Sequence, residues 1–133
     1  LHYGELFILI SRHITETLKI AESQNNRYIN LALKQINSNF AESIDIEKLA
    51  GDIGITARYL RKLFNIHLQI SPLDYIMHLR INKAKEMMHD PSLNLKEIAY
   101  LTGFSNQQYF TKQFKQLTGM TPKHYRRTLF RIV

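Results

Sequence analysis

Apolar residues recur along this chain at spacings of three and four, the period of a helix with one buried face. From Leu6 the stripe passes through Leu9/Ile10, His13/Ile14, Thr17/Leu18 and Ala21, which predicts an amphipathic helix over residues 5–22 whose apolar side needs a partner. The polar run Ser23-Gln24-Asn25-Asn26 is expected to break it. Asn26 is then expected to cap a helix from Arg27 to about Phe40, with Ile29, Leu33, Ile36 and Phe40 on one face. Asp45 precedes a short helix carrying Leu49 and Ala50, and Thr56 can cap the next, which carries Tyr59, Leu60, Leu63 and Phe64. Ser71-Pro72-x-Asp74 reads as a helix start, with Pro at the first helical position and an acid in the first turn. That helix continues to about His89 and is ended by Asp90-Pro91-Ser92. Asn94-x-x-Glu97 has the form of a capping box, residues 106–118 form a further helix closed by Gly119, and Thr121-Pro122 opens a last short one with Tyr125 and Leu129. No segment requires a strand, so the expected fold is all-α.

A second pattern is laid over the first, because the chain repeats itself. Ile46-x-x-Leu49-Ala50-x-x-x-Gly54-Ile55-Thr56 recurs as Leu95-x-x-Ile98-Ala99-x-x-x-Gly103-Phe104-Ser105, 49 positions on. Leu60-x-x-x-Phe64 recurs as Phe110-x-x-x-Phe114, and Ser71-Pro72-x-x-Tyr75 as Thr121-Pro122-x-x-Tyr125, both shifted by 50. The change of offset means one turn is a residue longer in the second copy. Each copy reads helix, turn, helix. Ala50 and Ala99 are small enough for two helices to cross closely, and Gly54 and Gly103 allow the positive φ with which the chain leaves the first helix. Leu60, Leu63, Phe64 and Phe110, Phe114 pin the second helix to the first, which is the build of a helix-turn-helix. The tyrosines Tyr59, Tyr75, Tyr109 and Tyr125 sit at helical spacing with these phenylalanines and are expected in the core rather than stacked on bases.

The opposite face of each second helix is polar: Arg58, Arg61 and Lys62 in the first copy, Gln107, Gln108, Thr111 and Lys112 in the second. Arg and Lys suit the O6/N7 edge of guanine, and Gln the N6/N7 edge of adenine. Charge agrees. Residues 1–56 hold five Lys/Arg against seven Asp/Glu, whereas residues 57–133 hold thirteen against four, a net of +9. A basic segment behind a slightly acidic one fits a polyanion-binding surface. The 133 residues contain no Cys, which excludes disulfides and thiolate metal sites. The six histidines never stand as a His-x-x-x-His pair, so no metal and no cofactor is expected. No nucleophile elbow, P-loop or dinucleotide fingerprint occurs, and no enzyme is expected. No apolar run is long enough to span a membrane. Leu1–Ile10 is apolar but lacks a basic leader and is not read as a signal peptide; the start without Met suggests a piece of something longer.

The stretch from Gly103-Phe104-Ser105-Asn106-Gln107-Gln108-Tyr109-Phe110-Thr111-Lys112-Gln113-Phe114-Lys115 to Gly119-Met120-Thr121-Pro122 and Tyr125-Arg126 resembles the signature of the AraC/XylS family of bacterial transcription regulators. The resemblance covers about residues 27–130. It implies a homeodomain-like, AraC-type architecture: two helix-turn-helix subdomains, residues 27–71 and 90–133, joined by a long helix over 72–89, each offering a recognition helix to the major groove. It places base contacts on Arg58, Arg61, Lys62, Gln107, Gln108, Thr111 and Lys112, and backbone contacts on Thr56, Asn106, Lys115, Lys123 and Arg126. One departure is Gln69, where many members have Gly; that turn is expected to be strained or differently shaped. Residues 1–26 resemble the helical tail of a sugar-sensing companion domain, through which dimerisation and effector binding are expected. The implied function is sequence-specific binding of double-stranded DNA in the bacterial cytoplasm, associated with the nucleoid, with activation of carbohydrate genes and RNA polymerase as a further partner. A non-specific architectural DNA binder and a helical protein-interaction module are the alternatives.

Overall fold

The computed structural model describes the chain from His2 to Arg131; side chains are described from Glu22 onward and at Arg12, Thr15, Glu16, Thr17 and Lys19 before it. Among these residues there are seven helices and no strand: α1 (His2–Asn39), α2 (Ile46–Ile53), α3 (Ala57–Leu68), α4 (Pro72–Met87), α5 (Leu95–Leu101), α6 (Gln107–Thr118) and α7 (Pro122–Leu129). Six of the seven begin at a residue whose side-chain oxygen accepts a backbone N–H of the first turn: Asp45, Thr56, Ser71, Asn94, Asn106 and Thr121. Each such cap contributes about 1 kcal/mol to helices too short to persist alone. Asn94 and Glu97 complete the expected capping box. Gly54 and Gly103 both sit at φ 94° where the chain leaves α2 and α5.

One expected boundary is absent. The helix α1 runs unbroken through Ser23–Asn26, and Asn26 caps nothing. That run contains neither Pro nor Gly, and Ser, Gln and Asn each cost a helix no more than about 0.7 kcal/mol. A tertiary bond also uses the run: the Tyr59 hydroxyl donates to Asn25 Oδ1 at 2.6 Å. Apart from Thr17, which is exposed, the stripe expected from Leu6 to Ala21 falls on side chains outside the described residues. At its other end the connecting helix stops at Met87, with Met88 as cap, rather than at His89.

Two cores form, one for each copy of the repeat. The first joins Ile29, Ala32 and Ile36 of α1 to Leu49 and Ala50 of α2, Leu60, Leu63 and Phe64 of α3, and Ile76 of α4. The second joins Ile81, Ala84 and Met88 to Ile98, Ala99, Phe104, Phe110 and Phe114. Ala50 and Ala99, the two crossing residues, are buried. Helix α4 therefore belongs to both cores. Ile76 and Ile81 lie five residues apart, which turns them roughly 140° around the helix, so one face serves each core.

The aromatic expectation holds with one exception. Phe64 and Phe114 are fully buried, and Tyr75 and Tyr125 stack edge-on against them at 5.9 and 5.4 Å. Tyr109 is 41% exposed; only one edge of its ring meets Phe104, at 5.8 Å. Phe104 is buried in the second core, whereas its counterpart Ile55 is half-buried against the first.

Gln69 caps α3 at φ 54°, the one non-glycine with positive φ among the described residues. The equivalent position after α6 is Gly119, at φ 81°. A side chain in the left-handed region costs roughly 1–2 kcal/mol, partly offset by the greater unfolded-state freedom of glycine. The Gln69 amide donates to Ile66 O at 3.0 Å, but in an exposed position. Gln69→Gly should therefore raise unfolding stability by about 0.5–1 kcal/mol in urea titrations. A loss of stability would mean that the amide contact outweighs the strain.

Candidate nucleic-acid interface

Helices α3 and α6 are each the second helix of a helix-turn-helix and each turn one face to solvent. On α3, Arg58, Arg61 and Lys62 are all exposed. On α6, Gln107, Gln108, Lys112 and Lys115 are exposed and Thr111 is half-buried; these five residues line one shallow concavity of about 420 Å³. Among the described residues, none of these side chains is held by an ion pair, the single pair being Lys83–Glu86 at 3.7 Å. Donors not spent inside the fold remain available to an external acceptor. The base-contact residues expected from the sequence thus fall into two groups, one on α3 and one on α6, while Lys123 and Arg126 lie on α7.

The caps flanking these helices have capacity left over. Thr56 Oγ1 accepts the Tyr59 N–H at 3.1 Å, and Asn106 Oδ1 accepts the Tyr109 N–H at 2.7 Å. Capping uses an oxygen lone pair, so the Thr56 hydroxyl hydrogen and the Asn106 amide hydrogens can still be donated to a phosphate.

Around α6 the surface is basic. A groove of about 760 Å³ runs between the start of α5, the start of α6 and α7; it is lined by Lys96, Gln107, Lys123, Arg126 and Arg127. Lys96 and Arg127 were not among the sequence-derived contacts, and neither lies in the recognition pattern. Asn65 is likewise outside the expected set: it is exposed one turn beyond Arg61 on α3, and the offset of 50 that aligns Phe64 with Phe114 sets it against Lys115. The first subdomain has no equivalent basic flank. The positions matching Lys96, Lys123, Arg126 and Arg127 are Glu47, Leu73, Ile76 and Met77. Ile76 is buried in the first core and Met77 packs against the second, because here the flanking helix is α4, held between two cores.

Arg126 has a structural partner that the sequence did not reveal. Its Nη2 donates to Asp90 O at 2.6 Å, tying α7 to the turn after α4. In the same turn the Asp90 carboxylate accepts from the Ser92 hydroxyl and N–H, which hold it below the usual carboxylate range. Among the described residues no group of His, Asp and Glu could hold a metal, and no helix is long and apolar enough to cross a membrane.

Comparison with known proteins agrees with this geometry. Residues 49–128 match the family model described as a helix-turn-helix domain, which spans both repeats. The C-terminal domain of AraT, a response regulator from Geobacillus stearothermophilus, superposes with a TM-score of 0.73 at 29% identity, covering 80% of this chain and 87% of that one. The chain belongs to the AraC-type helix-turn-helix family of transcription regulators. It is 29% identical over 130 residues to the Msm operon regulatory protein of Streptococcus mutans, covering 95% of this chain and 47% of that protein. It is 26% identical over 106 residues to the raffinose operon transcriptional regulatory protein RafR of Pediococcus pentosaceus, covering 80% of this chain and 38% of that one. The chain thus spans half or less of these two curated relatives. As an AraC-type domain it is a sequence-specific DNA-binding module of a transcription regulator and not an enzyme.

Two of the basic residues of α7, Arg126 and Lys123, should separate in mutagenesis. Arg126→Ala removes a charged hydrogen bond to a backbone carbonyl and should lower unfolding stability by about 1 kcal/mol. Lys123→Ala removes an exposed side chain without a partner and should stay within about 0.5 kcal/mol of the parent. Equal stabilities for the two variants would remove the structural role of Arg126.

Proposed function

We propose that this domain reads two adjacent DNA segments, one with each recognition helix. Arg58, Arg61 and Lys62 address guanine edges, while Gln107, Gln108, Thr111 and Lys112 address a second, adenine-containing segment. Thr56, Asn106, Lys115, Lys123 and Arg126 take phosphate contacts, joined by Asn65, Lys96 and Arg127. The observation that carries this reading is the pair of solvent-facing helices, each at the second position of a helix-turn-helix and each with side chains uncommitted inside the fold.

The same reading makes the regulator an activator of carbohydrate-utilisation genes in the bacterial cytoplasm, with RNA polymerase as a further partner. It is supported by the relative named for a raffinose operon. Curated relatives of about twice this length and more favour a companion domain that dimerises and takes a sugar effector. A second DNA-binding domain brought in by a dimer would add avidity to a modest single-domain affinity.

Binding should be strongly electrostatic, each neutralised phosphate steepening the log–log salt dependence by about 0.9. On a site selected from a random DNA pool, Arg61→Ala and Gln108→Ala should each cost about 1–3 kcal/mol against the preferred base only. Lys123→Ala should weaken cognate and scrambled DNA alike. Salt-independent affinity, or equal losses on both DNAs for all three variants, would remove these faces from the interface.

A further inference from the structure

The two subdomains meet at more than the shared helix. The loop between α1 and α2 belongs to the first subdomain, yet it is gripped by groups that serve the second. Arg80, on α4 between Ile76 of the first core and Ile81 of the second, donates from Nε to Phe40 O and from Nη2 to Glu42 O, both at 2.8 Å. Lys83, one turn on, stands over the Phe40 ring at 5.8 Å from its centroid. From the other side comes the turn of the second helix-turn-helix. A Cβ on Gly103 would lie 2.7 Å from Phe40 O and 2.9 Å from Arg80 Nε, so only glycine lets the second turn approach so closely. Half-burial pulls the Arg80 guanidinium below the usual arginine range, with nearby Tyr109 opposing the shift.

A helix shared by two cores already limits how the subdomains can move. Bending and twisting of the helix between its two pinned ends are the motions left over, and the grip on residues 40–42 lies where those motions would occur. A planar guanidinium fork fixes two carbonyls at once, which an ammonium cannot do. We propose that Arg80, with Gly103 beneath it, is a positioning residue that locks the relative orientation of α3 and α6, and hence the half-site spacing this domain accepts. The consequence for DNA rests on the two-segment reading above; the lock itself does not.

The chain has no cysteine, so Lys34→Cys and Gln116→Cys, both at exposed positions, allow one spin label on each subdomain. Their distance distribution should be narrow in the parent and clearly broader in Arg80→Lys and Arg80→Gln, with no DNA present. On a selected two-segment site, the preference over a single segment should fall by about tenfold in either variant, as the effective concentration of the second helix drops, while affinity for the single segment stays within about twofold. An unchanged distance distribution overturns the lock whatever the DNA results. A broadened distribution with an unchanged preference overturns its role in spacing. If both variants lost their helical signal, Arg80 would be holding the fold rather than the orientation, and the proposal would fail. A parent protein with no preference for two segments over one would instead refute the two-segment reading, leaving the label distances to judge the lock.

Discussion

Helix α4 is held by two hydrophobic cores on two of its faces, and the arrangement of the molecule follows from that sharing. A helix buried on one side can pivot; one pinned through Ile76 to one core and through Ile81 and Ala84 to another cannot turn without breaking one of them. Interiors are packed densely enough that such shifts are discrete rather than gradual. The recognition helices therefore hold a set relation to each other even though they sit in separate subdomains. A flexible linker of similar length would set no such relation.

Sharing also explains why the two repeats differ. In the second, the helix after the recognition helix is α7, which carries Lys123, Arg126 and Arg127 along the basic groove. In the first, the same position is the start of α4, where Ile76 and Met77 are committed to packing and the exposed Leu73 stands in place of Lys123. Positive charge in the first repeat is placed on the recognition helix itself, as Arg58, Arg61 and Lys62. Two copies of one motif are thus matched to different surroundings, consistent with an asymmetric DNA site rather than a palindrome.

Much of this was legible in the sequence because it is encoded locally. Caps, turn glycines and helical periodicity each depend on residues within one or two turns, and the capped starts at Asp45, Thr56, Ser71, Asn94 and Thr121, the crossing alanines and the repeated core phenylalanines stand where these signals put them; the cap at Asn106 was not read, the repeat having set Ser105 against Thr56. Gln69 is an instructive case: the departure from glycine marked a turn that does adopt positive φ. What escaped the sequence depends on distant partners. The polar run Ser23–Asn26 looked like a boundary, but Asn25 meets Tyr59 from another helix. Arg126, expected at the DNA backbone, also donates to the Asp90 carbonyl 36 residues earlier, a partner no local pattern shows. Arg80 carried no local signal at all, since its two acceptors are backbone carbonyls about 40 positions earlier. The basic groove escaped in part because Lys96 and Arg127, 31 positions apart, line it together only in the folded chain.

The most direct test of a single chain reading two segments is a spacing series on a selected site, with affinity measured at constant salt. Recognition elements on one DNA face lie about 10–10.5 bp apart. Inserting 5 bp between the segments turns them to opposite faces, and the affinity should fall to that of one segment alone. Restoring a full turn should not recover it, because the shared helix cannot lengthen. An affinity unchanged by the 5 bp insertion would mean that only one repeat touches DNA.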